Sequence, residues 1–156
     1  MLSVRARCLV LFSLLLLTAS VRAQTACPWL TQGTAETFLQ GPVTVSTTLL
    51  SATEGTCTFT LQQDNASYAL NIIVAATNAT HCPDGSQHLA GIGNDATRCS
   101  ANPSRNQTTD TVSSHIRDRF LTVQLIIISR GANPLAPVSR QSVVQQAAEE
   151  VAGNLF

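Results

Sequence analysis

Two hydrophobic periods divide the chain. Between residues 43 and 75 the apolar positions recur at every second residue. "TCTFTLQ" sets Cys57, Phe59 and Leu61 on one side and threonines on the other. "YALNIIVAA" does the same with Tyr68, Leu70, Ile72 and Val74. "VTVSTTLL" before them is β-rich and loosely alternating, and the links "SATEG" and "QDNAS" are short and turn-rich. A two-residue period is the mark of strands with one buried face, so this region predicts a three-strand antiparallel meander. The threonine side predicts a partly solvated face.

Further on, "TVSSHIRDRFLTVQLIIIS" predicts a hairpin with a solvated tip at Arg117-Asp118-Arg119. Its second arm alternates through Leu121, Val123 and Leu125, then runs continuously apolar to Ile128. A continuous run implies burial on both faces, or a helix over one of them. "ATRCSA" predicts a short strand, "ANPSRNQTTD" a polar loop, and "RGANPLAP" a linker. Residues 77–95 form the longest irregular segment before them.

Helical spacing appears twice. In "WLTQGTAETFLQGP", Leu30, Thr34 and Phe38 lie four apart, with Ala35 and Leu39 beside them. Thr31 suits the cap, because its hydroxyl accepts from free amides of the first turn. Gly41 and Pro42 suit the stop. Near the end, Val143, Ala147, Val151 and Leu155 form one row, and Val144, Ala148, Ala152 and Phe156 the next. Such a stripe needs a partner surface. Ser142-Val-Val-Gln145 has the form of a capping box at its start. The order is helix, three strands, long loop, about three strands, helix. It predicts an α+β domain: an antiparallel sheet of about five to six strands with the N- and C-terminal helices on one face.

The first residues change the reading of everything after them. Arg5 and Arg7 precede the apolar run "CLVLFSLLLL", and "TASVRA" supplies a small-residue cleavage pattern. This is the form of a secretory signal peptide. Residues 1–23 are expected to leave, and 24–156 to form one exported domain that meets the membrane only through the leader. Cys27 raises a lipid anchor, but Gln24 breaks the lipobox and the apolar core ends well before it, so a soluble periplasmic or extracellular protein is expected. Three of nine arginines leave with the leader, so six face nine acids, a formal charge of −3, and there is no lysine. That charge balance lacks the footprint of a nucleic-acid binder. Sequons stand at Asn65, Asn78 and Asn106; they matter only in a host that glycosylates its exports.

Four cysteines stay in the mature chain: Cys27, Cys57, Cys82 and Cys99. An even count in an exported chain reads as two disulfides, with three connectivities open. "HCPDGSQHLAGIGNDATRCS" carries the most varied chemistry. His81, Cys82, Asp84, His88 and Cys99 are metal-ligating types, but their spacing fits no common zinc pattern. Cys82 beside His81 is a poor thiol site, since adjacent side chains in an extended loop point apart. Gly91-Ile-Gly93 lacks the third glycine of a phosphate loop. The glycines instead allow positive φ in a tight turn, where Asn94 and Asp95 can hydrogen-bond local backbone. The preferred pairing is Cys82 with Cys99, tethering the long loop, which leaves Cys27 for Cys57. No metal or cofactor is expected.

Certain of these residues carry a resemblance. "CPWLTQGTAETFLQGP", "GTCTFTL", "GIGNDA" and a closing "AEEVAGNLF" resemble, in that order, small exported bacterial domains of unknown function, some of them lipoproteins. They also resemble the extracellular sensor domains of some membrane serine/threonine kinases. Gly91, Gly93, Asn94, Asp95 and Ala96 match the turn motif, with asparagine where an acid is common. The resemblance implies an antiparallel sheet with flanking helices, disulfides and no catalytic residues. The expected function is a non-enzymatic extracytoplasmic binding or sensor-like module for an envelope ligand or protein. Its site would be the groove between sheet and helices or the disulfide loop, with His81, Asp84 and His88 as candidate binding residues. Two alternatives are a small exported hydrolase or metal-dependent enzyme using His81, Asp84, His88 and His115, and an inhibitor or envelope interaction protein presenting residues 81–100.

Overall fold

The computed structural model describes residues 26–63, 65–77, 82–84, 86–131 and 137–155. The expected leader, His81 and Phe156 lie outside the described residues. Helix α1 (Gln32–Leu39) is followed by strands β1 (Thr44–Ser51), β2 (Glu54–Gln63) and β3 (Ala66–Ala75). After the long loop come β4 (Gln87–His88), β5 (Asn94–Ser104), β6 (Gln107–Ile116), β7 (Arg119–Ser129) and helix α2 (Pro137–Asn154).

All seven strands form one antiparallel sheet in the order β1-β2-β3-β7-β6-β5-β4. The predicted meander is its first three strands. The sheet exceeds the expected five to six strands because the loop contributes the two-residue β4. "ANPSRNQTTD" is not a loop: it holds the end of β5, the turn at Arg105 and Asn106, and the start of β6. Residues 100–106 are exposed throughout, so burial imposes no alternation that would mark a strand there.

Register explains which side chains meet. Cys57 faces Ile72, which faces Val123, which faces Val112. The next row runs Phe59, Leu70, Leu125, Asp110. These apolar side chains are fully buried, each stabilising the fold by about 1.5–3 kcal/mol for the larger ones. Both helices pack on this face, with Val144, Ala147, Ala148 and Val151 of α2 and Ala35 and Leu39 of α1 buried in the same core. The other face begins with the row Ser46, Thr58, Asn71, Gln124, Thr111. The apolar run of β7 is not buried on both faces: Leu125 and Ile127 are inside, whereas Ile128 is 52% exposed on the face without helices.

Local signals set the helix ends. The Thr31 hydroxyl accepts the Thr34 amide at 3.1 Å, the expected cap. The stop differs by one residue: Gln40, not Gly41, takes the left-handed conformation (φ 60°), and Gly41 N–H closes the turn on the Glu36 carbonyl. Helix α2 begins at Pro137, so Ser142 is an interior residue and not a cap. Proline suits a first turn, where its missing N–H would have no helical partner. The hairpin tip is also only partly solvated. Arg117 and Asp118 are exposed, but Arg119 reaches Glu54 at 2.6 Å and ties the β6–β7 turn to the β1–β2 turn.

Candidate functional site: the tethered loop

Cys82 and Cys99 are joined, with their Cα atoms 5.6 Å apart; Cys27 and Cys57 are joined at 5.8 Å. Two disulfides suit a fold made for an oxidising, extracytoplasmic environment. The second bridge sits on the face without helices. Cys99 is opposite Thr111 in the ladder, and the Cys82 sulfur packs against the carbonyls of Thr97 and Thr111. Cys82 itself is 7% exposed, and Thr111 and Ser113 beneath the loop are buried.

Beyond the bridge, two further ties hold the loop. Leu89 N–H donates to the Ala96 carbonyl at 2.9 Å. The Ser114 hydroxyl donates to the Ile92 carbonyl at 2.6 Å, with the Asn94 carbonyl at 3.3 Å. Ile92 is thereby driven fully into the core. Gly91 (φ 84°) and Gly93 (φ 57°) take the left-handed conformations expected of them, and Asp95 (φ 54°) joins them. Gly93 is needed twice over: a Cβ there would stand 2.7 Å from the His115 carbonyl oxygen. A residue distant in sequence also ties the turn down. Asn94 and Asp95 are exposed, and Ser114, about twenty residues on, donates its hydroxyl to the carbonyls of Ile92 and Asn94.

The candidate residues spread over this scaffold. Asp84 is exposed in the turn after Pro83, where Ser86 N–H and its hydroxyl both reach the Pro83 carbonyl. His88 is exposed on β4 opposite Thr97. His115 lies on β6 and stacks on Phe120, ring centres 4.6 Å apart. Strand β5 separates β4 from β6, so His88 and His115 stand two strands apart. Among the described residues no three histidine, cysteine, aspartate or glutamate side chains gather as a metal-holding group.

The structure does gather a polar seam that the sequence reading missed. Asp110 is fully buried on the helix-bearing face; it accepts from the Ser100 hydroxyl and from Arg140 Nε of α2, the latter at 2.8 Å. Beside it, Arg98 donates to Gln145 of α2 at 3.1 Å and to Gln87 of β4 at 2.6 Å. The detectable signal was parity: Asp110 shares its side of β6 with Val112 and Ile116.

No protein-family model matches the chain, and no curated protein matches it significantly. Among solved structures, the crystal structure of Ara h 8.0201 is similar over 80% of this chain and 81% of that chain, at 9% identity and a TM-score of 0.22. At that score the likeness carries no weight. What the site offers is therefore read from its own chemistry: an exposed, polar loop tied to the sheet by a disulfide and by local hydrogen bonds, with no metal-holding group among the described residues.

Proposed function

We propose that this protein is a non-enzymatic binding or sensor-like module of the periplasm or the extracellular space, and that it recognises an envelope ligand or protein with the outer surface of its tethered loop. The observation that supports the reading is the combination of exposure with restraint. Pro83, Asp84, Gln87 and His88 face solvent, while the Cys82–Cys99 bridge anchors the start of this stretch, the β4–β5 pairing and the Leu89–Ala96 bond hold Gln87 and His88, and Ser114 holds the turn that follows. Exposed polar groups on backbone that is already tied down lose little entropy on binding, so they convert efficiently into affinity.

The test is quantitative capture from envelope extract on the oxidised protein, compared with Asp84→Ala/His88→Ala. Both positions are exposed, so the double variant keeps its unfolding midpoint. Loss of a captured species with an unchanged midpoint supports the loop as the recognition surface. Equal capture by both proteins refutes it.

A further inference from the structure

The two edges of the sheet are built differently. On one side β4 and the tethered loop cover the start of β5, and Pro103 removes a backbone donor from its exposed end. On the other side β1 is the outermost strand and, among the described residues, is paired with β2 alone. Its eight residues, "TVSTTLLS", include no charge and no proline. Leu49 and Leu50 on it are 40% and 79% exposed, two of the three exposed large hydrophobic residues among those described. An open edge of this kind presents unpaired N–H and C=O groups to any second strand, and folds usually blunt it with charge, proline or a cover. The one irregularity, a register shift between Leu49 and Ser51, leaves Thr44 to Leu49 regular.

Beside this edge, on the helix-bearing side, a cavity of about 210 Å³ opens between α1 and the strands. Leu30, Val45 and Phe59 form its apolar wall next to Cys27, and Thr31 and Gln32 its polar rim. We propose that β1 joins two copies of this chain edge to edge, antiparallel, with Leu49 of each copy seated in the cavity of the other.

The register follows from symmetry. A two-fold axis through an antiparallel strand pair stands perpendicular to the sheet, so opposed residues must share a face. Centring the axis on Thr47 sets Val45 opposite Leu49 of the second copy, and Ser46 opposite its Thr48. Directly opposed Cβ atoms lie about 4.5–5.5 Å apart. The incoming leucine thus arrives beside Val45, which is a wall of the cavity. The occupant is a second copy because of charge: β1 brings none, so self-pairing buries no unpaired ion, whereas a charged peptide finds no counter-charge on the strand. An eight-residue edge spans about 27 Å at ~3.4 Å per residue. That is a small contact against the ~800 Å² per partner of a standard interface, so the dimer is reversible and concentration-dependent. It leaves the tethered loop, at the opposite edge, free for the function proposed above.

Two measurements test it on the oxidised protein. First, Ser46→Cys chains and Thr48→Cys chains are oxidised separately and mixed. In the proposed register 46 and 48 are directly opposed, while 46 with 46, or 48 with 48, is a diagonal of about 7–8 Å, too long for a disulfide. A covalent dimer is expected in the mixture and not in either chain alone. Second, sedimentation equilibrium is expected to show the wild-type mass rising towards twice the monomer with concentration, and Leu49→Lys staying at monomer mass. Ile128→Lys, on the face without helices, still dimerises. The proposal is overturned by a wild-type monomer at every concentration, by cross-linking that is equal in separate and mixed samples, or by a Leu49→Lys chain that still dimerises.

Discussion

Arg140 Nε lies 2.8 Å from the fully buried carboxylate of Asp110, and this pair fastens α2 to the sheet. Ser100 donates to the other carboxylate oxygen, so both oxygens are engaged. The isolated charge would be costly in that position, and its two partners are what make its burial tolerable. Asp110→Ala is expected to lower stability by about 3–5 kcal/mol, the range for breaking a buried pair by removing one partner. Urea unfolding followed by circular dichroism measures it. A change below about 1 kcal/mol, typical of exposed pairs, would show that the seam is not structurally important.

The two disulfides close loops of different length, with sequence separations of 30 and 17. On the chain-entropy relation, removing Cys27–Cys57 costs about 3.6 kcal/mol and removing Cys82–Cys99 about 3 kcal/mol. Paired serine substitutions with equilibrium unfolding give both values. The second pair is expected to release residues 82–89 from protection in hydrogen exchange and leave the β2–β3 ladder protected.

Gly93→Ala joins two faults, a side chain in the left-handed region and a Cβ 2.7 Å from backbone oxygen. Overpacking of this kind costs typically about 1–3 kcal/mol, and the left-handed penalty adds to it. Gly91→Ala meets the same penalty (φ 84°) with open space around it, and is expected to be the milder of the two. A thermal melt of the two variants side by side decides the order; equal losses would mean that the close approach is irrelevant.

Tyr68 is 3% exposed, and its burial pushes the phenol above the ordinary value of 10.0. The folded state then holds the proton more tightly than the unfolded state. This contribution to stability is fully present below pH 10.0 and is lost as pH rises through the higher folded value. Tyr68→Phe is expected to flatten the decline in unfolding free energy above pH 10.0; an unchanged slope would assign that decline to other groups.

The meander and the helix stripes were legible because one buried face prints its period on the sequence. Cys57, Phe59 and Leu61, then Tyr68, Leu70 and Ile72, appear at alternate positions for that reason alone. Residues 101–106 were not legible, because a ladder made by backbone hydrogen bonds at an exposed edge asks little of its side chains. Asp110 escaped for the opposite reason. A carboxylate in an apolar row looks like the end of a strand until its partners, Ser100 and Arg140, are seen beside it. In the loop, the glycines announced the turn, but nothing local pointed to Ser114. That clamp exists only once β6 lies next to β5.

The strand order divides the chain at the seam between β3 and β7. Residues up to 75 build one half of the sheet and residues from 87 onward build the other. Each disulfide stays within its own half, joining Cys27 to Cys57 and Cys82 to Cys99. Among these four cysteines each bridge joins neighbours in sequence and none crosses another. Neither bridge crosses the seam between β3 and β7, so the two halves are joined there by the strand ladder and by packing. The β3–β7 ladder is therefore the long-range strand pairing of the sheet, and closing the chain between its two strands carries the loop entropy that slows pairing of this kind.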